Sequence, residues 1–275
     1  EERHKSLQVT VPHLAGSVRN HLHTLFEQIG LPHRIILGGV EVDAITLPEA
    51  VSQAEAMIRE GGPHLIFTPN PEMIVAAQSN PELKNILAQA DMALPDGVGL
   101  KWAARLTGQD LPERIGGIDF MGKLLEIAQR DNLRVFLMGS KPGVADEAAE
   151  NILKQYPGLL IVGTAHGYFT KEEEPVLINR IKDSKPDLLF VGMGQGKQES
   201  FLIKYADVVK FKIGMGIGGS LDVWAGRLKR APGPAQRLGV EWLFRALQEP
   251  KRIPRLMNLP KFLWVAGRDR NKKMD

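Results

Sequence analysis

The chain has 275 residues, a length that suits one large α/β domain or one domain with an appendage. Its hydrophobic content of 43% and charged content of 24% are ordinary for a globular protein and argue against intrinsic disorder. The sequence contains no cysteine, which excludes disulfides, zinc–thiolate sites and cysteine nucleophiles.

The first six residues are charged and lack the apolar core of a secretion signal. No apolar run approaches the ~20 residues that are needed to span a bilayer. We therefore expect a cytoplasmic protein.

The net charge of +3 is unevenly distributed along the chain. Residues 226–275 contain 13 basic and 4 acidic residues, a balance of +9, whereas residues 1–225 contain 22 basic and 28 acidic residues, a balance of −6. A basic tail on an acidic body predicts an anionic partner, for which phosphate, nucleic acid and anionic lipid are all suitable.

Residues 1–32 form a polar leader with one predicted helix, over residues 14–29. After the leader, short apolar segments alternate with helical ones. The predicted strands are Arg34–Leu37, His64–Phe67, Met92–Leu94, Arg134–Met138, Leu159–Val162, Asp187–Val191 and Phe211–Met215. The predicted helices are Leu47–Arg59, Pro71–Ala90 with a break near Asn80, Gly99–Leu106, Gly117–Arg130, Val144–Gln155 and Glu172–Ser184. This alternation predicts an α/β core over residues 33–225, a Rossmann-like parallel sheet with helices on both faces.

Residues 226–275 follow a different pattern, with no predicted strand and with several prolines. The segments Ala235–Gln248 and Lys251–Val265 combine basic residues with bulky apolar ones such as Trp242 and Trp264. Such helices suit a membrane interface. A helical pair docked on the core, with its charges in solvent, explains the pattern equally well, and the two interpretations are compatible.

Glycine-rich segments follow two of the predicted strands, at the edge where parallel sheets bind ligands. Glycine lets the backbone approach a ligand, and the N-terminus of a following helix favours an anion. The candidate nucleotide-binding residues in these segments are Gly139, Ser140, Gly143, Gly192, Gly194 and Gly196.

The segment Gly214–Gly219 matches the G-x-G-x-x-G pattern of dinucleotide sites. It lies late in the chain with no second βαβ half behind it, so we favour a close-packing or phosphate-facing turn. An NAD- or nucleotide-dependent enzyme that uses this loop stays open as the alternative. No segment matches the P-loop pattern, which argues against a P-loop ATPase.

Two charged residues, Asp96 at a strand end and Arg114 before Ile115, have both a chemical and a structural interpretation. Asp96 could act as a general base, although its position between Pro95 and Gly97 also suits a turn or a helix cap. Arg114 could pair with a phosphate or form a surface ion pair worth ~0–1 kcal/mol. The seven histidines lack metal-ligand spacing and the chain has no D-x-D sequence, so we expect neither a metal nor a cofactor.

Seven segments, in this order over about residues 34–260, resemble the WecG/TagA/CpsF family of bacterial glycosyltransferases. They are Thr68–Glu72, Leu94–Gly99, Arg114–Asp119, Gly139–Val144, His166–Phe169, Gly192–Glu199 and Gly216–Gly219. The chain departs from the family pattern at position 196, where it has glycine and the family more often has proline.

The resemblance implies an inverting, metal-independent hexosyltransferase. Its donor would be UDP-N-acetylmannosamine or the corresponding uronic acid, and its acceptor N-acetylglucosaminyl-diphospho-undecaprenol, in the synthesis of teichoic acid or a similar polymer. It also implies peripheral attachment to the anionic inner face of the cell membrane. No nucleic-acid partner is expected, and self-association is compatible with an apolar appendage.

The resemblance also assigns roles to particular residues. It implies that Asp96 is the catalytic base and that Thr68 and Asn70 line the sugar and acceptor pocket. Arg114 and Gln198 match further pocket residues. The tail arginines Arg245, Arg252 and Arg255 match residues that fold over the active site and meet the diphosphate.

Overall fold

The structure is a computed structural model that describes residues 33–233, 235, 241–248 and 258–271. The predicted leader helix over residues 14–29 lies outside the described residues. So do Arg252 and Arg255 of the tail.

Strands and helices alternate through most of the described chain. The strands are β1 (Arg34–Leu37), β2 (Val40–Asp43), β3 (His64–Phe67), β4 (Met92–Ala93), β5 (Arg134–Gly139), β6 (Leu160–Ala165), β7 (Leu188–Gly192) and β8 (Ile213–Gly216). The helices are α1 (Leu47–Glu60), α2 (Pro71–Ala77), α3 (Pro81–Leu87), α4 (Val98–Leu106), α5 (Gly117–Arg130), α6 (Val144–Gln155), α7 (Glu174–Asp183), α8 (Lys197–Val209), α9 (Ser220–Trp224), α10 (Glu241–Gln248) and α11 (Asn258–Asn271).

The main sheet has six strands in the order β4-β3-β8-β7-β5-β6, and every neighbouring pair is parallel. Strand β7 is buried along its whole length between β5 and β8. The chain leaves the sheet at edge strand β4 and re-enters it at β5, on the far side of β7 and β8. Crossovers of this kind open a crevice at the carboxyl edge of a parallel sheet.

Helices cover both faces of the sheet, which confirms the predicted fold class. One face packs against α1, α5 and α6, through buried residues such as Phe120 and Ile152. The other face packs against α2, α4, α7 and α8, through residues such as Ile74, Ile181 and Leu202. Each layer therefore buries the apolar side of an amphipathic helix on near-continuous apolar strands.

The first predicted strand forms, but it lies outside the parallel sheet. It pairs antiparallel with β2, which sequence analysis did not predict. The two-residue connection Gly38-Gly39 has φ values of +59° and +70°, which glycine adopts readily and tight hairpins need.

A buried carboxylate fastens this hairpin to the main sheet. Asp43 is 0% exposed and accepts hydrogen bonds from Arg34 Nε at 2.9 Å and from the backbone N–H of Ala93 at 2.6 Å. Burial raises the pKa of Asp43, while the Arg34 guanidinium opposes that shift. The pair therefore holds a charge in the interior next to the end of β4.

The predicted break in the segment Pro71–Ala90 is confirmed. Asn70 and Asn80 each accept a backbone N–H at 3.0 Å, from Met73 and Leu83 respectively, and each stands before a proline. Asparagine caps with proline in the first turn start two separate helices, α2 and α3.

Helix α11 docks on the face that carries α2 and α4. Its residues Phe262 and Ala266 are fully buried, and Leu259 packs over Gly99, where a Cβ atom would lie 2.6 Å from Leu259 Cδ1. The outer face of α11 carries Trp264, which is 65% exposed. None of the helices in the described part of the chain combines the length and apolar character needed to cross a bilayer.

Candidate active site

A crevice of about 850 Å³ opens at the carboxyl edge of the parallel sheet. Residues that follow β3, β4, β5, β7 and β8 line it. The predicted site residues among them are Thr68, Asn70, Asp96, Arg114, Ser140, Gly192, Gly194 and Gln198. The structure therefore brings together side chains that are up to 130 residues apart in the chain.

Thr68 and Asp96 lie side by side because backbone pairing continues beyond β3 and β4. The Asp96 N–H donates to the Pro69 carbonyl at 3.0 Å. Both side chains converge on Gly117, the first residue of α5. A Cβ atom there would lie 3.6 Å from Thr68 Oγ1 and 3.8 Å from Asp96 Oδ2. A hydroxyl and a carboxylate thus meet above a helix N-terminus, where negative charge is favoured.

Asn70 lines the crevice and is also the N-cap residue of α2. Its Oδ1 caps α2 by accepting the Met73 N–H. The capping bond does not use the amide nitrogen, which can donate to a ligand. A residue that is fixed by its own helix presents that donor at low conformational cost.

Cationic side chains surround the crevice. Arg114 is half-buried, and Lys141 and Lys197 also line the wall. Lys197 begins α8, so its ammonium group and the helix N-terminus both favour an anion in this part of the crevice. Among the described residues, no cluster of three or more His, Asp or Glu side chains could hold a metal ion.

Glycines at the ends of β5, β7 and β8 let three backbones approach closely. A Cβ atom at Gly139 would lie 2.3 Å from the Gly192 carbonyl oxygen, and one at Gly192 would lie 2.6 Å from the Gly218 carbonyl oxygen. Gly139 also has a φ of +140°. Any side chain at Gly139 or Gly192 would push these loops apart.

Three predicted nucleotide-binding glycines are not among the residues that line the crevice: Gly139, Gly143 and Gly196. Gly139 instead packs against the backbone of Gly192, which does line the crevice. Gly143 and Gly196 both have positive φ and are the N-cap residues of α6 and α8. Gly143 and Gly196 therefore allow the chain to turn into α6 and α8 without lining the crevice themselves.

The G-x-G-x-x-G match divides between the core and the crevice. A Cβ atom at Gly214 would lie within 2.8 Å of Phe211 and Leu202, so this glycine allows close packing of α8 on β8. Gly218 and Gly219 line the crevice. The first half of the motif therefore serves the fold and the second half faces the ligand space.

Two polar residues at this edge, Asp222 and Glu199, were not predicted from the sequence as site residues. Ser140 donates from Oγ to Asp222 Oδ2 at 2.6 Å, and Asp222 lines the crevice. Glu199 is completely buried behind Gln198. Burial raises the pKa of Glu199, and hydrogen bonds from the Gln198 side chain and from backbone N–H groups oppose the shift. The position of Asp222, just after a glycine-rich strand end, was the available signal.

The structure describes the backbone of only one of the three tail arginines, Arg245. Arg245 belongs to α10, but its side chain lies outside what the structure describes, as do Arg252 and Arg255. Helix α10 itself is attached by Gln248, whose amide accepts from the Lys229 N–H at 2.9 Å and donates to the Lys229 carbonyl at 2.8 Å. This two-way bond connects α10 to a segment whose preceding residue, Leu228, lines the crevice.

The parallel sheet and the crevice at its carboxyl edge define a Rossmann-like α/β protein with a ligand site of the kind that binds nucleotides. The profile of the glycosyl transferase WecG/TagA/CpsF family matches residues 35–275, and the chain belongs to this family. It is thus a glycosyltransferase, and the resemblance seen in the sequence motifs is confirmed.

Several relatives share much of the chain. A Bacillus spizizenii protein is 37% identical over 198 residues, 72% of this chain and 76% of the relative. A Staphylococcus aureus protein is 35% identical over 236 residues, 85% of this chain and 92% of the relative. A Bacillus subtilis protein is 35% identical over 210 residues, 76% and 81% respectively. All three are named N-acetylglucosaminyldiphosphoundecaprenol N-acetyl-beta-D-mannosaminyltransferase.

Proposed function

We propose that this enzyme transfers N-acetylmannosamine, or its uronic acid, from UDP to N-acetylglucosaminyl-diphospho-undecaprenol. The names of the three relatives support the acceptor and the sugar. The observation that carries the proposal is the convergence of Thr68 and Asp96 on the N-terminus of α5, inside a crevice that glycine turns also line. A base and a nucleotide cradle then share one cavity, as a sugar transfer requires.

The donor's diphosphate suits the part of the crevice formed by the turns after β5 and β7. Ser140, Gly192 and Gly194 line that part. Glycine brings backbone N–H groups close to the ligand, and the N-terminus of α8 favours its negative charge. The closely packed strand ends would hold these groups in place before the ligand arrives.

Asp96 is the proposed general base. Its carboxylate takes the proton from the acceptor hydroxyl as that oxygen attacks the anomeric carbon. The new C–O bond forms on the face opposite the bond to UDP, which breaks as UDP leaves with the electron pair. This single displacement inverts the anomeric configuration. Thr68 and Asn70 hold hydroxyl groups of the two sugars beside it.

Side-chain cations take the part that a metal ion plays in other glycosyl transfers. Negative charge builds on the departing diphosphate, and Arg114, Lys141 and Lys197 lie around the crevice to stabilise it. The tail arginines Arg245, Arg252 and Arg255 add guanidinium groups that can bind phosphate oxygens in pairs. The proposed enzyme therefore needs no divalent cation.

We assign residues 33–225 to the catalytic core and residues 226–275 to an appendage that covers the site and touches the membrane. The exposed face of α11 carries Lys261, Trp264 and Arg268 at spacings of three and four, and Arg268 Cζ lies 4.8 Å from the Trp264 ring centroid. An aromatic ring with flanking cations suits an anionic lipid interface. Such contact would hold the proposed enzyme peripherally at the inner membrane face, within reach of a lipid-linked acceptor.

A transfer assay tests the proposal. The protein is incubated with UDP-N-acetylmannosamine and a synthetic lipid-diphosphate N-acetylglucosamine acceptor, and UDP and the disaccharide are quantified. We expect equal amounts of both products and an anomeric configuration opposite to that of the donor. UDP-N-acetylglucosamine, the epimer at C2, serves as the matched control and should give less product. Absence of product with folded protein would contradict the proposed function, and a retained configuration would contradict single displacement.

A further inference from the structure

The buried carboxylate of Glu199 connects two of the turns that form the crevice. Its Oε2 accepts the Gly196 N–H at 2.7 Å, and its Oε1 accepts from Gln198 Nε2 at 2.7 Å. Gln198 Oε1 in turn accepts the Gly218 N–H at 3.0 Å. One chain of hydrogen bonds therefore runs from the turn after β7 to the turn after β8.

Donor and acceptor counting shows why this position needs a carboxylate. Both ends of the chain, Gly196 and Gly218, are N–H donors, and the amide of Gln198 has one acceptor oxygen and one donor nitrogen. Residue 199 must therefore accept at both of its terminal atoms, which an ionised carboxylate does and an amide cannot. With glutamine at this position, two N–H donors would face each other at one of these three contacts, and the hydrogen bond there would be lost.

The same bonds determine which way the Gln198 amide points. Its oxygen is held at Gly218 and its nitrogen at Glu199. A primary amide has two N–H groups, and the second one of Gln198 has no acceptor among the described residues. Gln198 is almost fully buried but lines the crevice, so an oxygen atom of a bound ligand could accept this N–H.

We propose that Glu199 is a positioning residue for the nucleotide. It touches no ligand itself, but it holds Gln198 as a donor and keeps the turns at Gly194–Gly196 and Gly218 in register. The ligand oxygen belongs to the UDP portion of the donor, and in this respect the inference rests on the proposed function. Its structural part, the orientation of Gln198 by Glu199, does not.

A second glutamate offers a matched control. Glu49 occupies the same third position of its helix, α1, and accepts the Thr46 N–H at 2.7 Å, as Glu199 accepts the Gly196 N–H. Glu49 is exposed and does not line the crevice. Glu49→Gln therefore reports the loss of a helix-capping carboxylate at a position away from the crevice.

The experiment compares wild type, Glu199→Gln and Glu49→Gln in two ways. Hydrogen exchange of the Gly218 amide, measured without ligand, should be faster in Glu199→Gln and unchanged in Glu49→Gln. Steady-state kinetics should show a rise of about tenfold in KM for the UDP-sugar in Glu199→Gln, with kcat within about threefold of wild type. A loss of folding stability alone would lower the apparent kcat and would not raise KM.

Gln198→Met keeps the inference testable if Glu199→Gln does not fold. This variant should raise KM by the same factor. The double variant should add little to that rise, because both changes deprive the ligand of the same Gln198 N–H. Unchanged Gly218 exchange in folded Glu199→Gln, or wild-type KM in Gln198→Met, would overturn the inference. Failure of the wild type to use or bind any UDP-sugar would instead refute the proposed function, and the exchange result would still decide the orientation of Gln198.

Discussion

Replacing Asp96 with asparagine should lower the rate of sugar transfer by about 10²–10⁴-fold, the usual contribution of a general base. Asparagine keeps the size of the side chain but cannot take a proton from the acceptor hydroxyl. Asp96 follows edge strand β4 and lies beside Thr68 at the N-terminus of α5, whereas the glycine turns that we assign to the nucleotide follow β5 and β7, on the far side of β3 and β8. UDP affinity should therefore stay within about threefold of wild type.

Single-turnover kinetics and UDP calorimetry on the same preparations separate these two effects. Asp110→Asn is the control, because Asp110 is exposed and does not line the crevice. It should behave as wild type in both measurements. If Asp96→Asn instead lost UDP binding and kept the rate of the bound complex, Asp96 would hold the donor and the assignment of the base would be wrong.

Replacing both Arg252 and Arg255 with alanine should reduce turnover by about 10²-fold, which is the effect of removing a donor from a developing negative charge. The two arginines are three residues apart, so a helix would place both on one face. They would meet the diphosphate as the bond to the sugar breaks. The core should still bind UDP, because the glycine turns after β5 and β7 stay in place.

The matched control for this pair is Arg59→Ala, which removes an exposed arginine at the end of α1. Turnover and binding to vesicles of anionic lipid are measured for each variant. Wild-type turnover combined with weaker vesicle binding would restrict Arg252 and Arg255 to membrane contact and contradict their proposed role in the active site.

Most of the parallel sheet could be predicted from local sequence. Segments such as Leu65–Phe67 and Leu188–Val191 are apolar throughout, because strands buried on both faces need no polar side. Glycine and proline then marked the ends of these segments. The hairpin strand β2 escaped prediction because Val40–Asp43 is short and half polar, and its role depends on a partner strand and on the buried carboxylate of Asp43.

The crevice was predictable where its residues follow a strand directly. Thr68 and Asp96 stand at the ends of neighbouring strands, so the rule for parallel sheets places them together. Asp222 was harder to find because its partner is distant in the chain, and Glu199 because its link to the second turn runs through Gln198 to Gly218. Ser140 and Asp222 are 82 residues apart, and Gln198 and Gly218 are 20 apart. No local pattern encodes such pairs, and only the folded structure shows that the Gly196 N–H and the Gln198 amide, rather than solvent, donate to the Glu199 carboxylate.

Calorimetric titration with UDP, in the presence and absence of EDTA, tests the central claim most directly. A metal-independent UDP-sugar transferase should bind UDP with the same affinity in both conditions, because arginine, lysine and backbone N–H groups supply the contacts to its phosphates. Absence of UDP binding to the folded protein would contradict the donor assignment. Binding that EDTA abolishes would contradict metal independence.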